Sequence, residues 1–227
     1  MKKLLILFTA AVTGLLAVSC NFEDVYTITN LNDIVTVKGE YLISDIGTSY
    51  RVTDDQTGSK DWQKEDNRLH VIMDVLNRQL EVSLKKANIM EIREPEALTV
   101  TDEDPKDPVV VALQSISGSY LNLVLQIYEE KGTECPHDIS FQYRKDPDSE
   151  DMELFVFHYG NNENPSRIPE DDLKTELRFY SIPLGKLTTS TSARITLTMD
   201  VLVKDTDGKY SVKRTSYQMN QSSYYSY

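Results

Sequence analysis

The stretch ARITLTMDVLVK, residues 193–204, alternates apolar and polar side chains with a period of two. Its apolar members occupy every second position: Ile195, Leu197, Met199, Val201 and Val203. Such alternation is typical of a β-strand with one buried face, because successive side chains of a strand point to opposite sides. Residues 68–76 (RLHVIMDVL) repeat the pattern, whereas residues 120–130 and 152–159 are apolar on both faces, as strands inside a sandwich are. Since no segment shows a sustained helical stripe, the sequence predicts an all-β protein.

The strand patterns fall into two groups on either side of an acidic, proline-rich stretch. Residues 94–108 (EPEALTVTDEDPKDP) contain three prolines and six acidic residues, which is typical of an interdomain linker. Residues 30–93 hold about five strand patterns, the size of a small OB-like β-barrel. Residues 109–218 hold about seven, which fits an immunoglobulin-like β-sandwich, and Asp207-Gly208 predicts a hairpin between the last two. Residues 219–227 form a polar, Tyr-rich tail.

The N-terminus combines a positive start with a short apolar run that ends at a cysteine. Lys2 and Lys3 precede residues 4–18, which are too few for a comfortable transmembrane helix. The sequence LAVSC at 16–20 resembles a bacterial lipobox, in which the chain is cut before the cysteine and the cysteine is acylated. We therefore predict a signal peptide over 1–19, lipidation of Cys20 and a tether over 20–29. The alternative is an ordinary cleaved signal with Cys20 paired to Cys135.

Lipidation of Cys20 predicts an outer membrane lipoprotein on the periplasmic face or on the cell surface. Glu23 and Asp24 follow the cysteine closely and resemble an export tag for surface display, so both orientations stay open. The formal charge of −12 argues against nucleic acid and against an anionic membrane surface as partners. The membrane contact that we expect is therefore the lipid anchor alone.

Four motifs carry a family resemblance. They are NRLHVIMDVL at 67–76 in the first unit, and GSYLNLVLQI at 118–127, HDISFQYR at 137–144 and LFVFHYGNN at 154–162 in the second. The chain resembles the NigD-like lipoproteins of gut and oral Gram-negative anaerobes, from about Asp33 to Arg214. The resemblance implies an OB-like N-terminal domain, a C-terminal β-sandwich and an association with bacteriocin loci. The chain departs from the family where Asp66-Asn67 replaces a glycine that often precedes the arginine at position 68.

The sequence contains no recognised catalytic motif. A Gly-rich phosphate loop, a GxSxG elbow and an HExxH helix are all missing from it. We therefore predict no enzyme activity, no catalytic residues, no cofactor and no metal. Two metal sites remain as minor alternatives. One is zinc at Cys135, His137 and His158, and the other is calcium at the acidic stretches 54–61 or 146–153, although neither stretch has the spacing of a calcium loop.

Trp62, the single tryptophan, lies in a polar loop between two predicted strands. It is either a lid over the end of the barrel or an exposed anchor, and we name it the candidate partner anchor. The predicted function is a lipid-anchored binding protein of the cell envelope, with an unknown protein or glycan partner. The family resemblance implies that this partner is bacteriocin-associated. The alternative is a surface glycan-binding or fimbrial-type structural lipoprotein.

Overall fold

The computed structural model describes residues 26–99, 107–132, 137–160, 168–185, 187–188 and 193–220, so the predicted signal peptide and Cys20 lie outside it. The described residues form fourteen strands and two short 3₁₀ turns, Asp61–Gln63 and Glu170–Asp172. The strands are β1 (Ile28–Lys38), β2 (Tyr41–Ser44), β3 (Ser49–Asp55), β4 (Arg68–Val75), β5 (Glu81–Ile89), β6 (Glu91–Ile92), β7 (Glu96–Ala97), β8 (Val110–Ser117), β9 (Tyr120–Glu130), β10 (Asp138–Lys145), β11 (Met152–Tyr159), β12 (Leu173–Pro183), β13 (Arg194–Lys204) and β14 (Tyr210–Asn220). No helix in this part of the chain is long and apolar enough to cross a membrane.

The first five strands close into a barrel in the order β1-β2-β3-β5-β4. β3 and β5 pair in parallel, and β1 returns to β4 to close the sheet. The alternation in β4 predicts its buried face correctly, because Leu69, Val71, Met73 and Val75 are all at most 1% exposed. These side chains fill the barrel together with apolar residues from the other four strands, namely Val35, Val37, Leu42, Tyr50, Val82 and Leu84.

Two sheets form the second unit. One has the order β14-β13-β11-β10-β7 and the other has the order β6-β12-β9-β8. Their facing side chains make a single core that includes Leu121, Leu123, Leu125, Leu154, Ile182, Ile195 and Leu197. The predicted all-β fold, a small barrel followed by a β-sandwich, is therefore confirmed. Val203 departs from the predicted buried face of β13, because it is 39% exposed near the hairpin at Asp207-Gly208.

The two shortest strands connect the barrel to both sheets. β6 follows β5 directly and pairs in parallel with β12, through Glu91 and Ile92. β7, which lies inside the predicted linker 94–108, pairs in parallel with β10 through Glu96 and Ala97. Residues 100–106 of that stretch lie outside the described residues. The backbone on leaving the barrel is thus hydrogen-bonded first to one sheet of the sandwich and then to the other.

The barrel meets the sandwich through a buried arginine. Arg68 is 5% exposed and makes a bidentate ion pair with Asp45, Nη1 to Oδ1 at 2.9 Å and Nη2 to Oδ2 at 2.8 Å. Both residues belong to the barrel: Asp45 follows β2 and Arg68 begins β4. The guanidinium carbon also lies 4.1 Å from the centre of the Tyr120 ring, on β9 of the sandwich. A planar guanidinium suits this double role, because its edge pairs with a carboxylate while its face contacts an aromatic ring.

Three sandwich side chains satisfy the remaining polar atoms of this pair. Arg68 Nε donates to Ser181 Oγ at 3.2 Å, and Nη2 donates to Asn122 Oδ1 at 3.1 Å. Asn122 Nδ2 donates to Ser117 Oγ at 2.8 Å, and the Ser117 hydroxyl donates to Asp45 Oδ2. We call these five residues the junction network: Asp45, Arg68, Ser117, Asn122 and Ser181. A buried ion pair is costly unless its remaining atoms find partners, and here the partners all come from the other unit.

Gly118 allows the two units to approach this closely. A Cβ at position 118 would lie 2.6 Å from Asp45 Oδ1 and 2.8 Å from its Cγ, and the residue has φ of +53°. Both the missing side chain and the left-handed backbone favour glycine in the turn between β8 and β9. The carboxylate of Asp45 therefore sits directly against the sandwich backbone.

Removing the charge of Arg68 should destabilise the whole described body. We expect Arg68→Met to lower the free energy of unfolding by about 3 kcal/mol or more, because it leaves the Asp45 carboxylate buried without its partner. Urea unfolding measures the change. Arg68→Met/Asp45→Asn should recover part of the loss, since the second substitution removes the stranded charge.

Arg51→Met is the matched control, because Arg51 also lies on a barrel strand and faces Glu40 and Glu81, but about half of its side chain is exposed. Arg51→Met should lower the free energy of unfolding by less than about 1 kcal/mol. Equal losses for Arg51→Met and Arg68→Met would contradict the role assigned to the junction network.

Candidate functional site at the barrel–sandwich junction

An open groove crosses the junction beside the buried network. Its volume is about 410 Å³, and the residues that line it come from the loop after β3, from β5 and from β12. They are Thr57, Ser59, Asp61, Trp62, Lys85, Lys86, Ala87, Asn88, Ile89 and Phe179. Nine of these residues belong to the barrel, and Phe179 is the contribution of the sandwich.

The rings of His70 and Phe179 extend the strand faces that carry the junction network, and Phe179 also lines the groove. His70 lies two residues after Arg68 on β4, and Phe179 lies two residues before Ser181 on β12, so each pair shares a strand face. The two rings are in contact, with centroids 5.5 Å apart, and Asn88 Nδ2 lies 3.4 Å from His70 Nδ1. Burial lowers the pKa of His70, which keeps the ring neutral near pH 7. The predicted polar face of β4 is therefore the face that meets the sandwich.

The rim of the groove combines apolar and cationic side chains. Ile89 is 47% exposed, and Lys86, three residues earlier on β5, is also exposed. Lys85 is tied to the barrel instead, since its Nζ lies 2.7 Å from Asp74 Oδ1 and 2.9 Å from Asn30 Oδ1. In a chain of formal charge −12, an exposed lysine and an exposed isoleucine that line one groove suit a partner that brings acidic and apolar groups.

The candidate anchor at Trp62 needs correction. Its side chain is 6% exposed and packs into the core of the barrel. The 3₁₀ turn Asp61–Gln63 turns the indole inward, where Nε1 donates to Asp55 Oδ2 at 3.2 Å. Trp62 is therefore the lid over the barrel end, the first of the two alternatives, and contributes only an edge to the groove. The polar neighbours of Trp62 in the sequence suggested an exposed side chain. The direction of the ring is set by one short 3₁₀ turn, which the sequence pattern does not show.

Asp55 fixes this lid and is held by several donors at once. Its Oδ1 accepts hydrogen bonds from the backbone N–H of Thr57, at 3.0 Å, and from the Thr57 hydroxyl, at 2.7 Å. Oδ2 accepts from Lys60 Nζ at 2.7 Å and from the indole of Trp62. Burial alone would raise the pKa of Asp55, but the hydrogen bonds from Lys60, Thr57 and Trp62 outweigh it and hold the pKa at about 2. The Lys60 ammonium thus occupies one of the three carboxylates in the acidic stretch 54–61 that the calcium alternative named.

The histidines of the zinc alternative do come together. Nδ1 of His137 lies 2.8 Å from Nε2 of His158, and the two buried rings stack with centroids 5.0 Å apart. Nε2 of His137 is 3.1 Å from Glu129 Oε1. Burial lowers the pKa of His158, and His137 lowers it further. Cys135 lies outside the described residues, and within these residues no group of three or more His, Cys, Asp or Glu side chains could hold a metal ion.

The face of the barrel that binds single strands in many OB-folds is charged here. On β2 and β3 this face presents Arg51, whose cation is paired with Glu40 at 3.3 Å and with Glu81 at 3.8 Å. Single-stranded nucleic acid binds to unpaired cations and stacked aromatic rings. This pairing supports the expectation that nucleic acid is not the partner, and that expectation stays a prediction.

Acid should weaken the lid selectively. The pKa of Asp55 is about 2 in the folded chain and about 3.9 in an unfolded one, so its ionised form stabilises the fold above pH 3.9, and this stabilisation is lost as the pH falls toward 2. We expect the free energy of unfolding of the wild type to exceed that of Asp55→Asn by about 1–2 kcal/mol at pH 5 and by much less at pH 2. The emission of Trp62, the single tryptophan, follows the unfolding.

Lys60→Met removes one donor to Asp55 and should move this loss of stability to higher pH. A difference between the wild type and Asp55→Asn that stays constant from pH 5 to pH 2 would contradict the assignment.

Sequence comparison finds no matching family profile and no matching curated protein. Solved structures do share the fold along most of the chain. A NigD-like immunity protein from Bacteroides caccae is 16% identical with a TM-score of 0.56, covering 88% of this chain and 98% of that chain. A candidate lipoprotein from Bacteroides fragilis is 13% identical with a TM-score of 0.54, covering 85% and 98%. A protein of unknown function from Bacteroides vulgatus is 15% identical with a TM-score of 0.54, covering 83% and 91%.

At these identities the likeness is one of fold, and it extends through both structural units. The NigD-like resemblance predicted from the motifs is confirmed at that level: the chain is similar over 88% of its length to a NigD-like immunity protein and shares its fold.

Proposed function

We propose that this chain is a lipid-anchored binding protein of the outer membrane, which acts by recognition and not by catalysis. The observation that carries the proposal is the junction groove. A buried network holds the barrel and the sandwich together, and an open groove with apolar and cationic rim residues crosses the boundary. Binding sites occur preferentially at such domain boundaries, where two units supply different chemistry to one partner.

The membrane anchor is the second part of the proposal. The lipobox-like sequence at 16–20 supports it, as does the fold shared with a candidate lipoprotein. More than one acyl chain on Cys20 would give stable anchoring, since a single chain binds membranes only weakly. The tether then places the barrel, whose first strand starts at Ile28, nearest the membrane.

The partner that we propose is a bacteriocin-associated protein. Support comes from the NigD-like immunity protein that has the same fold, and from the rim of the groove. A protein segment that presents an acidic side chain to Lys86 and an apolar one to Ile89 would match this rim. The formal charge of −12 keeps nonspecific anionic ligands away from the rest of the surface.

Loss of the lipidated cysteine should release the protein from the membrane. We expect Cys20→Ala, expressed from the full chain in a Bacteroides host, to move the protein from the membrane fraction to the soluble fraction and to abolish labelling by an acyl-chain probe. Cys135→Ala is the matched control and should stay membrane-bound and labelled. Retention of Cys20→Ala in the membrane fraction would rule out the anchor.

A photo-crosslinking residue in the groove should capture a partner in intact cells. We expect p-benzoylphenylalanine at position 86 to give a discrete crosslinked complex, because Lys86 is exposed on the rim. The same residue at position 145 is the control, since Lys145 is exposed on the five-stranded sheet, away from the groove. Equal labelling from both positions, or labelling from neither, would count against the groove as the binding site.

A further inference from the structure

The strand β14 leaves an open sheet edge that is long and regular. It pairs with β13 over all eleven residues from Tyr210 to Asn220, with no break in register. It is the terminal strand of the five-stranded sheet, and no other described strand pairs with it. An edge of eleven residues is about 37 Å long, and it presents a row of backbone N–H and C=O groups that need partners.

The other open edges of the described sheets are shorter or interrupted. The barrel closes on itself, and β6 and β7 pair with only two residues each of β12 and β10, so residues 173–179 of β12 leave an open edge of seven residues. β8 is eight residues long, but its register with β9 shifts between Val111 and Leu113, an interruption that hinders edge-to-edge pairing. β14 has neither a proline nor a bulge.

The charged side chains of β14 do little to prevent another strand from pairing with its edge. Arg214 is neutralised within its own sheet, because its Nε and Nη2 bind the two carboxylate oxygens of Asp200 at 3.0 and 3.3 Å. Lys213 is the other cation of the strand, which contains no acidic residue. β14 is therefore the longest unbroken open edge among the described strands, and such an edge is a template for a further strand.

We propose that the partner of β14 is the β14 of a second copy of this chain. The two strands run antiparallel about a two-fold axis at Thr215, the central residue, so that the whole strand finds a partner. In this register Arg214 lies opposite Ser216 of the second copy, and Lys213 lies opposite Tyr217. No two like charges lie directly opposite each other across the axis, so this register adds no direct repulsion. Two five-stranded sheets then become one continuous sheet of ten strands.

Apolar contact adds to the backbone ladder. Tyr217 and Met219 lie on the core-facing side of β14, where their own sandwich buries them only in part. A second strand beside them covers the rest of this surface, and the aliphatic stem of Lys213 from the other copy lies against Tyr217. An interface of one strand pair is smaller than a standard stable interface, so we expect a dimer that dissociates on dilution.

Charge substitutions opposite Arg214 test this register. Sedimentation equilibrium of residues 21–227 should show a monomer–dimer equilibrium. Ser216→Lys places two like-charge pairs across the axis and should weaken the dimer by about tenfold, whereas Ser216→Glu places two attractive pairs there and should strengthen it. Hydrogen exchange should show that protection of the β14 amides rises with protein concentration.

Thr196→Lys is the matched control, because it places the same charge on the same sheet face but on β13, one strand away from the interface. It should leave the dimer unchanged. A chain that stays monomeric at the highest concentration, or a dimer that responds equally to Thr196→Lys and Ser216→Lys, would overturn the proposal. A concentration-dependent rise in exchange protection outside β14, with none in β14 itself, would also overturn it, because the contact would then lie elsewhere. Neither Cys20 nor Lys86 takes part, so these outcomes are independent of the proposed function.

Discussion

The architecture depends on one buried charge that neither unit can satisfy alone. Arg68 and Asp45 pair within the barrel, but their remaining polar atoms find partners only on β8, β9 and β12 of the sandwich. Docking of the sandwich removes this pair from water, and the cost of that burial is offset only where the sandwich supplies hydrogen-bond partners for its remaining atoms. The pair therefore specifies the arrangement of the units. An apolar junction of similar area would permit sliding, whereas this network accepts a single register.

That rigidity gives the groove its value as a binding site. A site formed by two units loses less entropy on binding when the units are already fixed, so preorganisation favours affinity. Here one face that fixes the units also contributes to the site, since Phe179 lies on the same face of β12 as Ser181 and lines the groove. A change in the packing of the junction would thus change the affinity of the groove for its partner.

The sequence predicts the strands well because their periodicity arises from burial, which is a local pattern. The alternations in β4 and β13 identify buried faces almost residue by residue, and Asp207-Gly208 marks its hairpin. The junction network cannot be predicted in this way, because its five residues are far apart in the chain. Arg68 also begins β4, whose sequence looks like that of an ordinary half-exposed strand. β4 did carry one signal: an arginine and a histidine alternate on its supposedly solvated face. The inward turn of Trp62 and the brief strands β6 and β7 depend on tertiary contacts that no local pattern encodes.

The order of pairing also has a consequence for biosynthesis. Every barrel strand is complete by Ile89, and β6 and β7 follow within eight residues, before any of the strands that they pair with has been made. Chain growth from the N-terminus therefore supplies β6 and β7 before either sheet of the sandwich exists. β12 and β10 must then pair in parallel with strands far earlier in the chain, and each pairing closes a long loop. We expect these two parallel pairings to form later than the hairpins β8–β9 and β13–β14, whose partners are neighbours in the chain.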